Sequence, residues 1–223
     1  MRHFDVEMND LKSRLVNMTG LVEQMIKAAI EMLVKRDGKL VDTIMSLEKE
    51  VNIEEIVADD KCLKLIALNQ PVGADLRFIT SAMRITSDLE RMGDEAVNIS
   101  EMASDLIKYP ELKPLVDTPK MASIVQNMVM SCIKAFNEND TELAREVLAK
   151  DDEVDALQDK IIEELKGFMT KSSDPQTIRL AVDLMFIVKS IERIGDHATN
   201  ISEDVIFMIH GKDIRHPRAV SGK

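Results

Sequence analysis

The 223-residue chain contains no tryptophan, one tyrosine and six phenylalanines, so aromatics supply only 3% of it. Glycine and proline are scarce as well, at 8 and 6 residues. A chain so composed holds the materials of helices rather than of a twisted sheet, which draws on aromatic and β-branched residues. Only two cysteines occur, Cys62 and Cys132, unclustered and each inside an apolar helical stretch. That argues against a disulfide framework and points to buried thiols in a reducing compartment. No stretch approaches the ~18 apolar residues that span a bilayer. The opening Met1-Arg2-His3-Phe4-Asp5 has no apolar run of signal-peptide length. A cytoplasmic location is expected, with membranes met only through partners. Positive charge is in deficit too: 29 Lys and Arg against 40 Asp and Glu give −11. No basic stripe is available to replace counterions along a phosphate backbone, so direct nucleic-acid binding is not expected.

What the chain does have, it has twice. Glu90–Glu101, ERMGDEAVNISE, returns as ERIGDHATNISE at Glu192–Glu203, displaced by 102 residues and identical at nine of twelve positions. An internal repeat of that period makes each half one copy of a common unit. Six helical segments are predicted, at 9–35, 39–68 and 73–108, then 118–137, 140–168 and 175–210. Breaks fall at Arg36-Asp37-Gly38 and Asn69-Gln70-Pro71, answered by Asn137-Glu138-Asn139-Asp140 and Ser172-Ser173-Asp174-Pro175. Pro175 suits a first helical turn and Asp174 its cap. Pro110, Pro114 and Pro119 interrupt the middle. The fold expected is all-α, two tandem three-helix bundles, with the first unit at 1–110 and the second at 111–223.

Within the copied string, Glu-x-x-x-Asp puts two carboxylates one turn apart on one helix face. At 100° per residue, Leu76, Ile79, Met83, Glu90, Asp94, Val97 and Glu101 share a sector, so the acids are read as continuing an apolar stripe. Partly buried carboxylates are costly unless paired, protonated or bound to a cation. The preceding helices carry matching pairs, Glu48-x-x-x-Asn52 and Asp151-x-x-x-Asp155. Adjacent helices would then gather Asp151, Asp155, Glu192 and Asp196 in the second half. In the first they would gather Glu48, Glu90 and Asp94, with Asn52 a neutral oxygen donor. Four anionic ligands against three leads to the expectation that the second site binds metal at least as strongly.

Such oxygen sets suit hard cations, and Fe(III), Mn(II), Mg(II) and Zn(II) all stand as candidates. The two Glu-x-x-His pairs of di-iron bundles are absent from this pattern, which weakens an oxidase reading. His197, in the place of Glu95, sits at the edge of the second cluster. Asn98 and Asn200, one turn beyond Asp94 and Asp196, suit a supporting hydrogen bond to a ligand better than ligation. Gly93 and Gly195 lie inside predicted helices, where glycine costs about 1 kcal/mol relative to alanine, so a compensating benefit is expected there, either close approach by a helix or metal-bridging side chain or a simple packing requirement. Arg77 and Arg179 recur at the same offset and are read as buried salt-bridge formers. Met18, Met25, Met32, Met121, Met128 and Met130 fall at helical spacing and read as adaptable core.

The repeated Glu-Arg-[Met/Ile]-Gly-Asp-x-Ala-x-Asn-Ile at Glu90–Ile99 and Glu192–Ile201, with the upstream acidic pairs, resembles the PhoU family of phosphate-signalling regulators. The resemblance covers nearly the whole chain and departs from the family's acid-x-x-x-acid pattern at Asn52. It implies multinuclear metal clusters on helix faces, with iron the leading metal. Glu48, Asn52, Glu90 and Asp94 would form one site, and Asp151, Asp155, Glu192 and Asp196 the other. It also implies a homodimer and a non-enzymatic brake on phosphate uptake and starvation signalling. The implied partners are the nucleotide-binding subunit of a phosphate ABC transporter and, where present, a sensor histidine kinase. Residues alone leave two competitors open, a carboxylate-bridged metalloenzyme and a direct metal or phosphate sensor.

Overall fold

The computed structural model describes residues 3–212 and Ile214. Six helices form the chain: α1 His3–Lys35, α2 Leu40–Asn69, α3 Ala74–Leu106, α4 Asp117–Glu138, α5 Thr141–Lys171 and α6 Pro175–His210. No strand occurs among the described residues. Helix α1 begins six residues earlier than its periodicity suggests, because Phe4 and Met8 pack against the core and hold the first turns. The all-α class and six-helix order stand as expected, and the division at 110/111 falls in the irregular link between α3 and α4.

Turn chemistry sets the breaks. Asp140 caps α5 by accepting from the Glu142 and Leu143 amides, and Asp174 caps α6 from Gln176 and Thr177 with Pro175 in the first turn. Gln70 and Asn139 take left-handed conformations, and their amides return to the Ile66 and Ala135 carbonyls. After α1 the left-handed residue is Arg36 (φ 56°), while Gly38 is not among the positive-φ residues. A side chain rarely adopts that region without compensation, and Arg36 has it. Its guanidinium donates to the carbonyls of Leu106, Ile107 and Tyr109, closing the C-terminus of α3.

The two repeats do not sit apart. Helix α3 packs lengthwise on α6, with α1 and α2 gathered on α3, α4 and α5 on α6, and α1 touching α4. One apolar core runs through all six helices, and Phe78 of α3 stacks on Phe136 of α4 at 4.9 Å. Polar pairs cross the seam between α3 and α6: Arg84 to Asp204 at 2.8 Å, Asp88 to His197 at 2.8 Å and Glu95 to Arg193 at 3.1 Å. Arg179 reaches Asp105 at 3.4 Å farther along. As the α3 number rises across these pairs the α6 number falls, so the helices run antiparallel. The tandem units are therefore fused along their third helices.

Candidate functional site

Each third helix turns its fully buried side toward the core through residues such as Ile79, Ile85, Leu89, Met92 and Ile99 of α3. The acids stand beside this strip rather than continuing it. Leu76, Asp94 and Glu101 are exposed, and Glu90 is partly buried. The sector drawn from the sequence is thus the shoulder of the helix. A shoulder position suits a carboxylate that must face both a neighbouring helix and solvent.

On the first shoulder, Glu48 and Asn52 of α2 face Glu90 and Asp94 of α3. Burial, followed by the charges of Asp94, Glu55 and Glu48 against the opposing pull of Arg91, raises the Glu90 carboxyl above its ordinary value. Burial and then Glu48 and Glu95 raise Asp94. The Asn52 amide donates to Glu48 Oε1 at 2.7 Å, while its buried Oδ1 has no hydrogen-bond partner. Glu55, which the repeat did not reveal, belongs to this group. Its carboxyl is raised by burial and then by Asp59 and Asp94, and Asp59 itself accepts from Thr86 Oγ1 at 3.2 Å.

The second shoulder is built likewise from α5 and α6. Burial, then Asp155, Asp196, Glu192 and Asp152, push the Asp151 carboxyl up to about 6. Burial, then Glu192 and Asp155, raise Asp196, with His197 and Lys189 opposing. Lys189 pairs with Glu192 at 3.3 Å. Gln158, one turn beyond Asp155 and in the place of Glu55, has a buried Nε2 without a hydrogen-bond partner. The strips therefore read Glu48, Asn52, Glu55 on α2 and Asp151, Asp155, Gln158 on α5: two acids and one amide each. With Glu55 counted, each shoulder has four carboxylates, and the premise that the second site holds one more anionic ligand than the first is corrected.

These are electrostatic clusters, not closed ligand cages. Among the described residues, no three His, Cys, Asp or Glu side chains are gathered tightly enough to hold an ion. The donor chemistry nevertheless fits a hard cation. All the converging donors are oxygens, the carboxylates repel one another, and Asn52 offers an unused acceptor. His197 lines the same cleft as Asp94 and Asp196, with its Nδ1 on Asp88 across the α3–α6 seam. Asn98 and Asn200 line a polar cleft of about 400 Å³ between these helices, together with Arg91, Arg193, Asp94 and Asp196. The Asn98 amide donates to a carboxylate, that of Glu95, at 3.2 Å.

Other sequence expectations are revised. Arg77 donates to the Met208 carbonyl at 2.9 Å rather than joining a buried ion pair. Arg179 is exposed and reaches Asp105 and Asp183. A Cβ on Gly93 would meet Met25 and Val51 at 3.5–3.6 Å, and one on Gly195 would meet Val125 and Val154 at 3.6–3.7 Å. Those are ordinary contacts, so close approach does not demand glycine. Five of the six named methionines are buried, and Met130 is exposed. Cys62 and Cys132 are buried and unpaired, and burial pushes the Cys62 thiol up to about 12. No described helix is long and apolar enough to cross a membrane.

Comparison with known proteins adds a second line of evidence. The family model described as the PhoU domain matches this chain twice, at residues 15–103 and 118–205. The Pseudomonas aeruginosa protein named phosphate-specific transport system accessory protein PhoU homolog is 35% identical over 216 residues, 96% of this chain and 88% of that one. The Aquifex aeolicus protein of the same name is 38% identical over 210 residues, 94% of each chain. The crystal structure of PhoU from Pseudomonas aeruginosa superposes with a TM-score of 0.89 at 34% identity, covering 94% of this chain and all of that one.

Proposed function

Because this chain belongs to the PhoU family, we propose that it is a non-enzymatic cytoplasmic regulator restraining phosphate uptake and the phosphate-starvation response. It acts by contact with the nucleotide-binding subunit of a phosphate ABC transporter and, where one exists, with a sensor histidine kinase. The observation that carries this reading is the duplicated match to the PhoU domain over nearly the whole chain, in relatives named for an accessory role in phosphate transport. The long, mostly polar helix surfaces suit contact with other proteins. A homodimer goes with this reading.

Metal clusters, iron first among the candidates, would lie on the two shoulders. Glu48, Asn52, Glu55, Glu90 and Asp94 would hold one, and Asp151, Asp155, Glu192 and Asp196 the other. A bound cation would supply charge neutralisation. The carboxylates' own part is to converge on one face, where burial and mutual repulsion raise Glu90, Asp151 and Asp196 and so favour a neutralising partner. His197 and Arg193 hold α6 against α3 at the same level, so a change at the shoulder has a short path into the seam between repeats.

Deletion of the protein in its host should raise expression of phosphate-uptake genes in phosphate-rich medium. Immobilised full-length protein should retain the transporter's nucleotide-binding subunit. Unchanged expression together with no association would overturn the regulatory reading. Elemental analysis of the wild type and of a Glu192→Ala/Asp196→Ala variant addresses the metals separately. Equal metal content in the two would remove the second shoulder from the assignment.

A further inference from the structure

Helix α2 has apolar residues on two faces. One face is buried against α1 and α3 through Ile44, Val51, Ala58, Cys62 and Leu65. The other carries Met45, Ile53, Ile56 and Leu63, which are 36%, 59%, 68% and 58% exposed. With Lys49 and Asp60 these residues are spaced 4, 4, 3, 4 and 3 apart, the spacing of a helix–helix seam. The equivalent helix of the other repeat is an internal control. At an offset of 103, α5 has Leu148, Asp152, Ala156, Asp159, Glu163 and Lys166, a largely polar face. Helix fold and shoulder acids are common to both repeats, so neither explains the exposed stripe on α2.

The order of the stripe is self-complementary. Read from both ends toward the middle, Met45 corresponds to Leu63, Lys49 to Asp60 and Ile53 to Ile56, with paired numbers adding to 108 or 109. An antiparallel second copy would set apolar residues opposite apolar ones and each Lys49 opposite the second copy's Asp60. A parallel copy would set Lys49 beside Lys49. We infer that the exposed face of α2 is a homodimer seam in which two copies of this chain pair antiparallel about a two-fold axis between residues 54 and 55. Such an isologous contact needs a patch that complements itself, which this sequence supplies. A lipid surface is a poorer occupant, because a chain of net charge −11 is repelled by anionic headgroups.

The seam runs about 27 Å at 1.5 Å per residue and is one helix wide. That falls short of the ~800 Å² per partner of a standard interface, so dissociation in the micromolar range is expected. The inference deepens the homodimer expectation by naming its face. Sedimentation of the full-length chain from ~1 to ~300 µM tests both, with concentrations chosen to bracket that range. Wild type should dimerise, and Ile53→Glu/Ile56→Glu should weaken the dimer at least ~10-fold, since two charges then enter an apolar seam twice over. Lys49→Glu should weaken it ~3–10-fold, and Lys49→Glu/Asp60→Lys should restore it, because the exposed pair occurs twice by symmetry. Ala156→Glu on α5 should change nothing. All four variants alter exposed residues, and the charge-swap pair reports on the seam even if the isoleucine variant folds poorly. A monomeric wild type would overturn both seam and homodimer. A dimer indifferent to Ile53→Glu/Ile56→Glu would overturn the seam alone, and failure of the swap to restore pairing would overturn the antiparallel register.

Discussion

Removing a carboxylate from the second shoulder should stabilise the metal-free protein, and only at neutral pH. The folded chain holds Asp151 at about 6 against an ordinary 3.8, through burial first and then Asp155, Asp196 and Glu192. At 1.36 kcal/mol per pH unit, the gap is worth at most ~3 kcal/mol, and partial solvent screening reduces it to roughly 1–2 kcal/mol. Its sign follows from the direction. A folded-state pKa above the unfolded one means that folding favours the protonated acid, so stability is intact below pH ~4 and is lost as pH rises through 6. Asp151→Asn keeps the shape of the side chain and discards the charge. Urea unfolding in chelator should therefore show no difference at pH 4 and a gain of roughly 1–2 kcal/mol for the variant at pH 7.5. Added Mn(II) should stabilise wild type more than the variant, because the amide contributes no charge to a cation. A loss of stability at pH 7.5 in chelator, or an equal effect at both pH values, would refute the argument that the shoulder is electrostatically strained.

Two further expectations concern the scaffold. Gly93→Ala and Gly195→Ala should each stabilise the chain by ~0.5–1 kcal/mol, since each Cβ meets only ordinary contacts and glycine is costly inside a helix; loss of stability in thermal melts would reveal crowding at those positions. Arg36→Ala should cost ~1–3 kcal/mol in urea unfolding, because the carbonyls of Leu106, Ile107 and Tyr109 lose a charged donor while the left-handed backbone stays strained; an unchanged midpoint would show that water caps α3 equally well.

The repeat made the fold legible. A 102-residue offset, prolines between the copies and Asp140 and Asp174 at helix starts located six helices within a few residues at most ends. The start of α1 was missed because an amphipathic pattern loses contrast where a helix runs past the core, and only Phe4 and Met8 mark the extension. Periodicity shows which face is buried but not against which helix, so fusion along α3 and α6 was not readable. The same gap hides the partner of His197, Asp88, which lies 109 residues away. Glu55 is not marked by the repeat, because its counterpart on α5 is Gln158. The left-handed Arg36 was hidden behind Gly38, since local turn preference cannot anticipate a guanidinium reaching carbonyls about 70 residues on.

Comparison of α2 with α5 separates what the two repeats share from what they do not. Toward the third helix, the strips Glu48, Asn52, Glu55 and Asp151, Asp155, Gln158 exchange acid for amide at both the second and third places, yet each keeps two acids and one amide. Repulsion among partly buried carboxylates depends on how many share the space, not on which rung of the helix carries each. Keeping the count fixed keeps the demand for protons or cations similar on both shoulders. Toward solvent the two helices diverge freely, one to Met45, Ile53, Ile56 and Leu63 and the other to Ala156, Asp159 and Lys166 beside the partly buried Leu148. With four carboxylates on each, the shoulders would differ toward a cation through reach, burial and neighbouring charges such as Arg91 on the first and Lys189 on the second. Glu48 and Glu55 are each a methylene longer than Asp151 and Asp155, and among the shoulder acids Asp151 has the carboxyl moved as far as about 6. Were a cation to bind, the raised Asp151 would gain more from neutralisation, while the longer Glu48 and Glu55 would close around it with less backbone movement, so affinity order would not simply follow charge count.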